Sequence, residues 1–307
     1  MSARPVVVVG DALLDVDVVG KVRGTSPDAG VPVLDVADET DRPGGAALAA
    51  ALLAARGVPV TLVTALDGDG GGTRLRELLE PALRLVAAPA TGGTPVKRRW
   101  FDGDRPLLRT DTGSGRPTAE GFAPAGLADA LAGAGAVLVS DYGRGMTADP
   151  SVRDALARAV ERGTPVVWDP HPQGAPPVPG VAVATPNLAE ARRAAGHSTG
   201  SASGTGGALL ERWACVAVAV TVGAEGAVLV RAGLDPHPVP APAVAHGDPC
   251  GAGDAFAGAL AARLGAAAPL PDALRSANEV AARFVADGGA RSVAWRDGAW
   301  RQVSMQV

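Results

Sequence analysis

A sharp turn followed by a helix is predicted at Gly247-Asp248-Pro249-Cys250-Gly251-Ala252-Gly253-Asp254-Ala255-Phe256-Ala257-Gly258-Ala259-Leu260. The glycines let the backbone turn tightly, and apolar residues then recur every four positions, which indicates a buried helix. The first N–H groups of a helix have no partner inside it and lie at the positive end of the helix dipole. We therefore predict that the amides of Gly251, Ala252 and Gly253 hold an oxyanion or a phosphate.

Asp254 falls in the first turn of this helix. A carboxylate beside an anion pocket repels the ligand, so anion binding alone does not explain it. It suits a general base that takes a proton from an attacking hydroxyl, and the pair of features predicts phosphoryl transfer. The alternative is an ordinary helix cap, but a cap needs neither glycine, and Asp248 could serve as one.

Composition limits the other classes of function. With 307 residues and 47% hydrophobic residues, the chain can form one large α/β domain or two small ones. A net charge of −4 without a basic cluster argues against a nucleic-acid partner. No early apolar run is long enough for a leader or a membrane segment, and two distant cysteines, Cys215 and Cys250, indicate a reducing compartment. We expect a cytoplasmic protein with no membrane partner.

Strand and helix patterns alternate along the chain. The predicted strands cover residues 6–9, 60–65, 136–141, 165–170, 181–187, 216–222 and 227–230; the predicted helices cover 46–56, 74–83, 152–162 and a stretch from about 188. Such alternation is typical of the doubly wound α/β class, a mostly parallel sheet with helices on both faces. The small-residue stretch 198–207 is predicted to be a loop that does not separate two domains.

Asp11 and Asp15 follow the first strand, at the end where open α/β sheets bind ligands. They are candidates for contacts with sugar hydroxyls, and the alternative is an aspartate that only stabilises a turn. Gly44 and Gly45 precede a helix and allow a ligand to approach the backbone closely, unless they serve helix packing.

Residues 24–36 and 95–111 are predicted to form strands outside the main sheet. The second segment is a hairpin whose cations Lys97 and Arg109 are candidates for binding an anionic substrate. The alternative is that these charges lie on a solvated hairpin face.

Asn187 and Glu190 stand three residues apart at a predicted helix start. This spacing can organise water around Mg²⁺ near phosphates, but it is also the spacing of a capping box, which the residues alone favour.

The segment Asp248–Asp254 resembles the Asp-Thr-x-Gly-Ala-Gly-Asp signature of the ribokinase-like (PfkB) carbohydrate kinases. In that family the last aspartate is the catalytic base and the glycine turn is the anion hole. Two departures stand out: Pro249 replaces the threonine, and Leu48 occupies the position where an asparagine usually follows the Gly-Gly pair.

The resemblance implies ATP and Mg²⁺ as cofactors. It assigns Asn187 and Glu190 to Mg²⁺ and phosphate, and Gly44 and Gly45 to the substrate. The residues that it assigns to the nucleotide are Thr221, Gly223, Gly226 and Asn278, the last of them near the adenine.

Several motifs narrow the resemblance to the kinase half of bacterial heptose-7-phosphate kinase/adenylyltransferases, over nearly the whole chain. One of them is Ser140-Asp141-Tyr142-Gly143-Arg144-Gly145, in which Asp141 is assigned to substrate and Arg144 replaces a lysine near the phosphates. We expect one ribokinase-like domain over residues 1–307, with lid strands at about 14–36 and 95–111, and a kinase without a second nucleotidyltransferase module.

The predicted reaction is phosphorylation of the anomeric hydroxyl of D-glycero-D-manno-heptose 7-phosphate by ATP, giving the 1,7-bisphosphate. The partners are then a small-molecule sugar phosphate, ATP and a second subunit, since lids of this family often pair subunits in a homodimer. Two alternatives stay open: a kinase of another sugar, sugar phosphate or nucleoside, and a non-catalytic sugar or nucleotide sensor on the same fold.

Cys250 lies inside the predicted anion pocket. A helix N-terminus lowers a thiol pKa, which would make this residue sensitive to oxidation or alkylation. The alternative is a small buried filler.

Overall fold

A ten-stranded sheet forms the centre of the structure, a computed structural model that describes residues 4–118, 124–196, 199–296 and 298–302. In spatial order its strands are β14 (His237–Val239), β13 (Ala227–Arg231), β12 (Ala217–Thr221), β11 (Val183–Ala184), β10 (Val166–Asp169), β9 (Ala136–Ser140), β1 (Val6–Gly10), β4 (Val60–Leu66), β5 (Arg84–Thr91) and β8 (Arg116–Pro117). The strands from β12 to β5 run parallel, and antiparallel strands complete both edges. The predicted doubly wound, mostly parallel sheet is confirmed.

Both faces of this sheet are covered, because the central strands carry buried apolar side chains on both sides. In β1, Val6 and Val8 belong to one core cluster, and Val7 and Val9 belong to the other. The first cluster packs against helices α1 (Ala46–Ala55), α2 (Gly70–Leu79), α7 (Ala252–Gly265) and α8 (Leu270–Ala286). The second packs against α3 (Pro124–Ala132), α4 (Pro150–Glu161), α5 (Leu188–Ala195) and α6 (Ala202–Trp213). Alternate side chains of one strand thus reach opposite layers of helices.

A second, four-stranded sheet leaves the carboxyl edge of the first. Its spatial order is β3 (Pro32–Gly45), β2 (Ala12–Thr25), β6 (Val96–Asp102) and β7 (Arg105–Thr112). The central pair β2 and β6 is parallel, and the two outer pairs are antiparallel. Only Asp11 separates β1 from β2, and β3 runs directly into α1. The strand ends that bear ligand groups in this sheet class are therefore adjacent to the small sheet.

A buried charge network fixes the base of the small sheet. Arg42 donates to Asp17 at 2.7 Å, and both side chains are only 4% exposed. Two further cations lie near Asp17: Arg99 at 3.9 Å and Arg291 at 3.7 Å. Because an unpaired charge is costly at such depth, these contacts tie β2, β3 and β6 of the small sheet together, and Arg291 links them to the segment after α8.

A hairpin of β15 (Val293–Arg296) and β16 (Ala299–Gln302) packs beside α1 and α2. Trp300 is buried there and donates its indole N–H to the Leu78 carbonyl at 3.1 Å. In the part of the chain that the structure describes, no helix has both the length and the apolar character that a membrane span requires.

Two predicted boundaries were wrong. Helix α2 begins at Gly70, four residues before the predicted start, because Asp69 caps it by accepting from the Gly72 N–H at 2.8 Å. The predicted loop 198–207, whose residue 198 lies outside the described residues, is helical from Ala202. Ser201 caps that helix, and Leu209 and Trp213 bury its apolar face, so packing overrides the glycines.

Candidate active site

Gly251 forms the turn that leads into α7. Its φ of 82° lies in the left-handed region, and a Cβ there would stand 2.8 Å from Leu48 Cδ2. Only glycine fits both conditions. Leu48 is 2% exposed, so it packs under the turn, at the position where the family usually has asparagine.

The predicted anion hole is smaller than expected. Ala252 donates its N–H to the Pro249 carbonyl at 3.0 Å, which closes the turn and removes this amide from ligand binding. Within the described residues, the amides of Gly251 and Gly253 have no hydrogen bond, and both glycines line a cavity of about 200 Å³ with Asp254. Two backbone donors, instead of the three predicted, are available to an oxyanion.

Asp254 is the third residue of α7 and is 4% exposed. Its burial raises the carboxyl pKa to about 7, although a hydrogen bond from Tyr142 opposes the rise. The Tyr142 hydroxyl donates to the carboxylate at 2.8 Å from Oδ2 and 3.0 Å from Oδ1. A carboxylate whose pKa lies near neutral pH is well matched to general-base work.

The position of Tyr142 was not predicted. Its ring lies under the Lys97 ammonium, 5.0 Å from Nζ to the ring centroid, and stacks on His171 at 6.4 Å between centroids. Tyr142 is the chain's only tyrosine and lies two residues after the end of β9. That placement could have suggested a site residue, but nothing in the sequence joins it to Asp254.

Asp11 makes three backbone contacts in the structure. Its carboxylate accepts from the backbone N–H groups of Tyr142 and Arg144 at 3.0 Å each and of Met146 at 3.2 Å. Asp11 thus holds the loop that carries Tyr142, as a turn aspartate does, and its contact with a sugar hydroxyl stays a prediction. In the same loop Arg144 donates to the Gly113 carbonyl at 3.3 Å.

Asp15 and the glycine pair lie against each other. A Cβ on Gly44 would stand 2.6 Å from Asp15 Oδ2, and one on Gly45 would stand 2.6 Å from the Asp11 carbonyl. The two glycines thus make room for the aspartates that follow β1. Asp15 is 5% exposed and accepts from Arg99 at 3.2 Å.

The cations of the small sheet differ in depth. Lys97 is half-buried, and its burial lowers the ammonium pKa. Arg109 is 58% exposed and pairs with Asp111 at 2.9 Å. Arg99, which the sequence did not single out, lies opposite Arg109 and reaches both Asp15 and the Cys250 sulfur, at 3.6 Å from the latter.

Two more carboxylates line the cavity of Asp254. Asp141 accepts from the Gly143 N–H and the Thr147 hydroxyl, both at 2.7 Å, and burial raises its pKa to about 6. These two hydrogen bonds hold the Asp141 carboxylate against its own loop. Asp169, also missed, ends β10, and burial followed by the charge of Asp254 raises its pKa well above the usual value.

Asn187 and Glu190 form the capping box that the residues alone favoured. The Asn187 side chain accepts from the Glu190 N–H at 3.0 Å, and the Glu190 carboxylate accepts from the Asn187 N–H at 2.8 Å. Both residues also line the cavity of Asp254. Burial raises the Glu190 carboxyl pKa.

The described residues include no cluster of three or more histidine, cysteine, aspartate or glutamate side chains able to hold a metal. Mg²⁺ does not require one, because it keeps several waters and binds through one or two carboxylates and substrate phosphates. Glu190 and Asp169, which both line the cavity of Asp254, fit that kind of site.

A larger cavity of about 540 Å³ lies beyond the start of α7. It is lined by Gly223, Ala252 and Asn278, among others. The Asn278 amide donates to the Val239 carbonyl at 2.7 Å, so it supports the wall of the cavity. Gly226 is structural: a Cβ there would stand 2.2 Å from that carbonyl. Thr221 lies on the cavity of Asp254.

Cys250 is half-buried between these cavities. Burial raises its thiol pKa, and the nearby Arg99 only partly opposes that rise. A raised thiol pKa favours the role of a small buried filler for Cys250 over that of a reactive thiol.

Comparisons with known proteins agree with this geometry. The pfkB family of carbohydrate kinases matches residues 3–296. The "Bifunctional protein HldE" of Streptomyces coelicolor is 47% identical over 295 residues, which are 94% of this chain and 62% of the relative. The protein of the same name from Paramagnetospirillum magneticum is 34% identical, over 95% of this chain and 62% of the relative. The chain therefore spans less than two thirds of the length of these relatives. The resemblance drawn from the sequence is confirmed.

Solved structures share the fold at low sequence identity. Arabidopsis thaliana ribokinase, solved with ribose and ATP, aligns with a TM-score of 0.69 and 22% identity, covering 94% of this chain and 95% of the ribokinase. The tetrameric inhibited form of Escherichia coli phosphofructokinase-2 aligns with a TM-score of 0.74 and 16% identity, covering 94% and 96%.

Proposed function

Because the chain belongs to the pfkB family of carbohydrate kinases, we propose that it transfers the γ-phosphoryl group of ATP to the anomeric hydroxyl of D-glycero-D-manno-heptose 7-phosphate. The observation that carries the proposal is the buried carboxylate of Asp254, in one cavity with the unpaired amides of Gly251 and Gly253.

The chemistry follows from that arrangement. Asp254 takes the proton of the sugar hydroxyl as its oxygen forms a bond to the γ-phosphorus. The bond from that phosphorus to the oxygen it shares with the β-phosphate breaks, and ADP leaves. The amides of Gly251 and Gly253 donate to the phosphoryl oxygens, on which negative charge lies during transfer.

Mg²⁺ would neutralise phosphate charge when bound, with Glu190, Asn187 and Asp169 as the residues to hold its water shell. The larger cavity beyond α7 suits the base and ribose of ATP. It meets the catalytic cavity at the start of α7, where Ala252 lines one and Gly253 lines the other.

The small sheet suits the phosphate of the sugar. Lys97, Arg99 and Arg109 provide cations on neighbouring positions of β6 and β7, and Lys97 lies over Tyr142, which itself contacts Asp254. A phosphate bound by these cations would leave the far end of the sugar near the base. As a lid, the same sheet would exclude water, which otherwise competes for the phosphoryl group.

We also propose a homodimer formed through this sheet. Its outer strands and the adjoining turn expose large apolar side chains, including Val33 at 43%, Val36 at 52% and Leu108 at 59%. Apolar side chains on a sheet edge favour association with another surface. Sedimentation should find a dimer in the wild type and a monomer in Val36→Lys. A wild-type monomer would exclude the interface.

A substrate panel tests the activity. ADP formation is measured with heptose 7-phosphate, fructose phosphates, ribose and adenosine, and ³¹P NMR identifies the product. We expect turnover with heptose 7-phosphate and a new anomeric phosphate. Preference for another acceptor would replace the proposed substrate, and ATP binding without any turnover would indicate a sensor.

The two lysines of the chain offer a matched pair of variants. Lys97→Met should raise the KM for heptose 7-phosphate at least about tenfold, because a charge-assisted phosphate contact is lost. Lys21→Met, on an exposed part of β2, should leave it unchanged. Equal effects of both variants would remove Lys97 from phosphate binding.

A further inference from the structure

The Tyr142 phenol covers the carboxylate of Asp254. Its hydroxyl lies within hydrogen-bond distance of both oxygens of Asp254, at 2.8 and 3.0 Å. A phenol has one hydrogen to donate, and here it is shared between the two oxygens. The acceptor hydroxyl of a substrate needs the same carboxylate as its hydrogen-bond partner.

We propose that the Tyr142 hydroxyl occupies the place of the acceptor hydroxyl on Asp254 until sugar binds, and that sugar displaces it. Tyr142 is thus a positioning residue, which holds the carboxylate in orientation and keeps water from it. This inference rests on the proposed function, because it takes Asp254 as the base.

Three separate contacts hold the phenol in this place. The Lys97 ammonium lies 5.0 Å from the ring centroid on one side, and the His171 ring stacks at 6.4 Å. From below, Asp11 accepts from the Tyr142 N–H at 3.0 Å. Since these contacts come from β6, from the segment after β10 and from the end of β1, the ring is fixed by several elements at once.

The arrangement suppresses idle hydrolysis of ATP. With the phenol in place, Asp254 is 4% exposed and has a donor on both oxygens, so a water molecule cannot be activated there. A sugar held by the small sheet competes for the carboxylate with a hydroxyl of its own. The Lys97 ammonium, which lies over the Tyr142 ring, is also the cation that we propose binds the sugar phosphate. Sugar phosphate and Tyr142 therefore share one cation.

The protonation of Asp254 depends on its burial and on the groups around it. Burial raises its pKa, the Tyr142 hydrogen bond lowers it, Asp15 of β2 raises it, and Lys97 of β6 and the Ser140 hydroxyl at the end of β9 lower it. Asp169 of β10 is electrostatically coupled to it as well. Removal of the phenol hydroxyl should therefore move the acid limb of the activity profile to higher pH, because a bond to the charged form is lost.

The first experiment uses the single tyrosine as a probe. Protein labelled with ¹³C at tyrosine Cζ gives one side-chain signal for the whole chain. We expect it to shift in Asp254→Asn relative to wild type, and to shift in wild type when heptose 7-phosphate is added. A signal that responds to neither change overturns the inference.

The second experiment compares wild type with Tyr142→Phe, which keeps the ring under Lys97. Without sugar, the variant should hydrolyse ATP at least about fivefold faster, because the base accepts water once the phenol oxygen is gone. With sugar, its acid limb should lie at higher pH. Structural damage would instead lower both rates, so lower or equal hydrolysis without sugar overturns the inference.

The two proposals can fail separately. The NMR comparison of wild type with Asp254→Asn needs no substrate, so an unchanged signal there counts against the Tyr142 contact alone. Absence of turnover with every sugar counts against the proposed function, whatever the tyrosine signal does.

Discussion

Replacing Asp254 with asparagine should make the protein more stable as it destroys activity. Burial raises the carboxyl pKa from its usual 3.8 to about 7. The folded state therefore binds this proton more tightly than the unfolded state does. The contribution of the protonated Asp254 carboxyl to the free energy of unfolding is fully present below pH 3.8 and is lost as the pH rises towards 7.

The size of the effect follows from the shift. A rise of about three pKa units corresponds to about 4 kcal/mol of unfolding free energy in total. Between about pH 5 and about pH 8, the stability of Asp254→Asn relative to wild type should grow by about 2 to 3 kcal/mol. The asparagine carries no charge at any pH, so the variant does not share the wild-type loss.

Urea unfolding at a series of pH values, followed by the fluorescence of the five tryptophans, measures this difference. Asp235→Asn, at an exposed position, is the matched control and should show no such trend. In the same samples, turnover of Asp254→Asn should fall by about three or more powers of ten while ATP affinity is retained. A stability difference that stays constant with pH, or near-normal turnover, would refute the reasoning.

Three further predictions concern the surroundings of the base. Arg42→Met removes the hydrogen-bond partner of the buried Asp17, to which only Arg291 and Arg99 remain close, at 3.7 and 3.9 Å. It should lower the unfolding free energy by about 3 to 5 kcal/mol in urea, and adding Asp17→Asn should restore part of it. Gly44→Ala places a methyl 2.6 Å from Asp15 Oδ2; it should raise the KM for sugar about tenfold or more and leave that for ATP unchanged, as steady-state kinetics would show. Alkylation of Cys250 at neutral pH, followed by mass spectrometry, should be about tenfold or more slower than that of an exposed cysteine, because burial raises its pKa. Rapid labelling would contradict the filler role.

The fold was predictable because it depends on local patterns. The apolar run Val6–Val9, the regular alternation of strands and helices, and the glycine turn before Asp254 each predict their own element. The same turn was sufficient to propose Asp254 as the base. Helix α6 was missed because its glycines weaken the local signal, and only the Ser201 cap and its packing explain it.

The partners of the base were not predictable in the same way. Tyr142 and Asp169 reach Asp254 from the ends of different strands, and a single sequence contains no record of which side chains meet across the sheet. The backbone bonds of Asp11 were hidden for the same reason. The hydrogen bond of the Ala252 N–H also escaped prediction. This amide donates to the Pro249 carbonyl and closes the turn, which the spacing of residues alone cannot reveal.

The pairing of β2 with β3 shifts register twice, between Val19 and Gly20 and between Val22 and Gly24. On the near side of these bulges the ribbon is clamped by the buried pair of Asp17 and Arg42; on the far side most of its residues face solvent. The bulges therefore mark the boundary between the buried root of the ribbon and its solvent-facing tip. Substitutions at the solvent-facing tip should therefore leave the buried pair of Asp17 and Arg42 at the root in place.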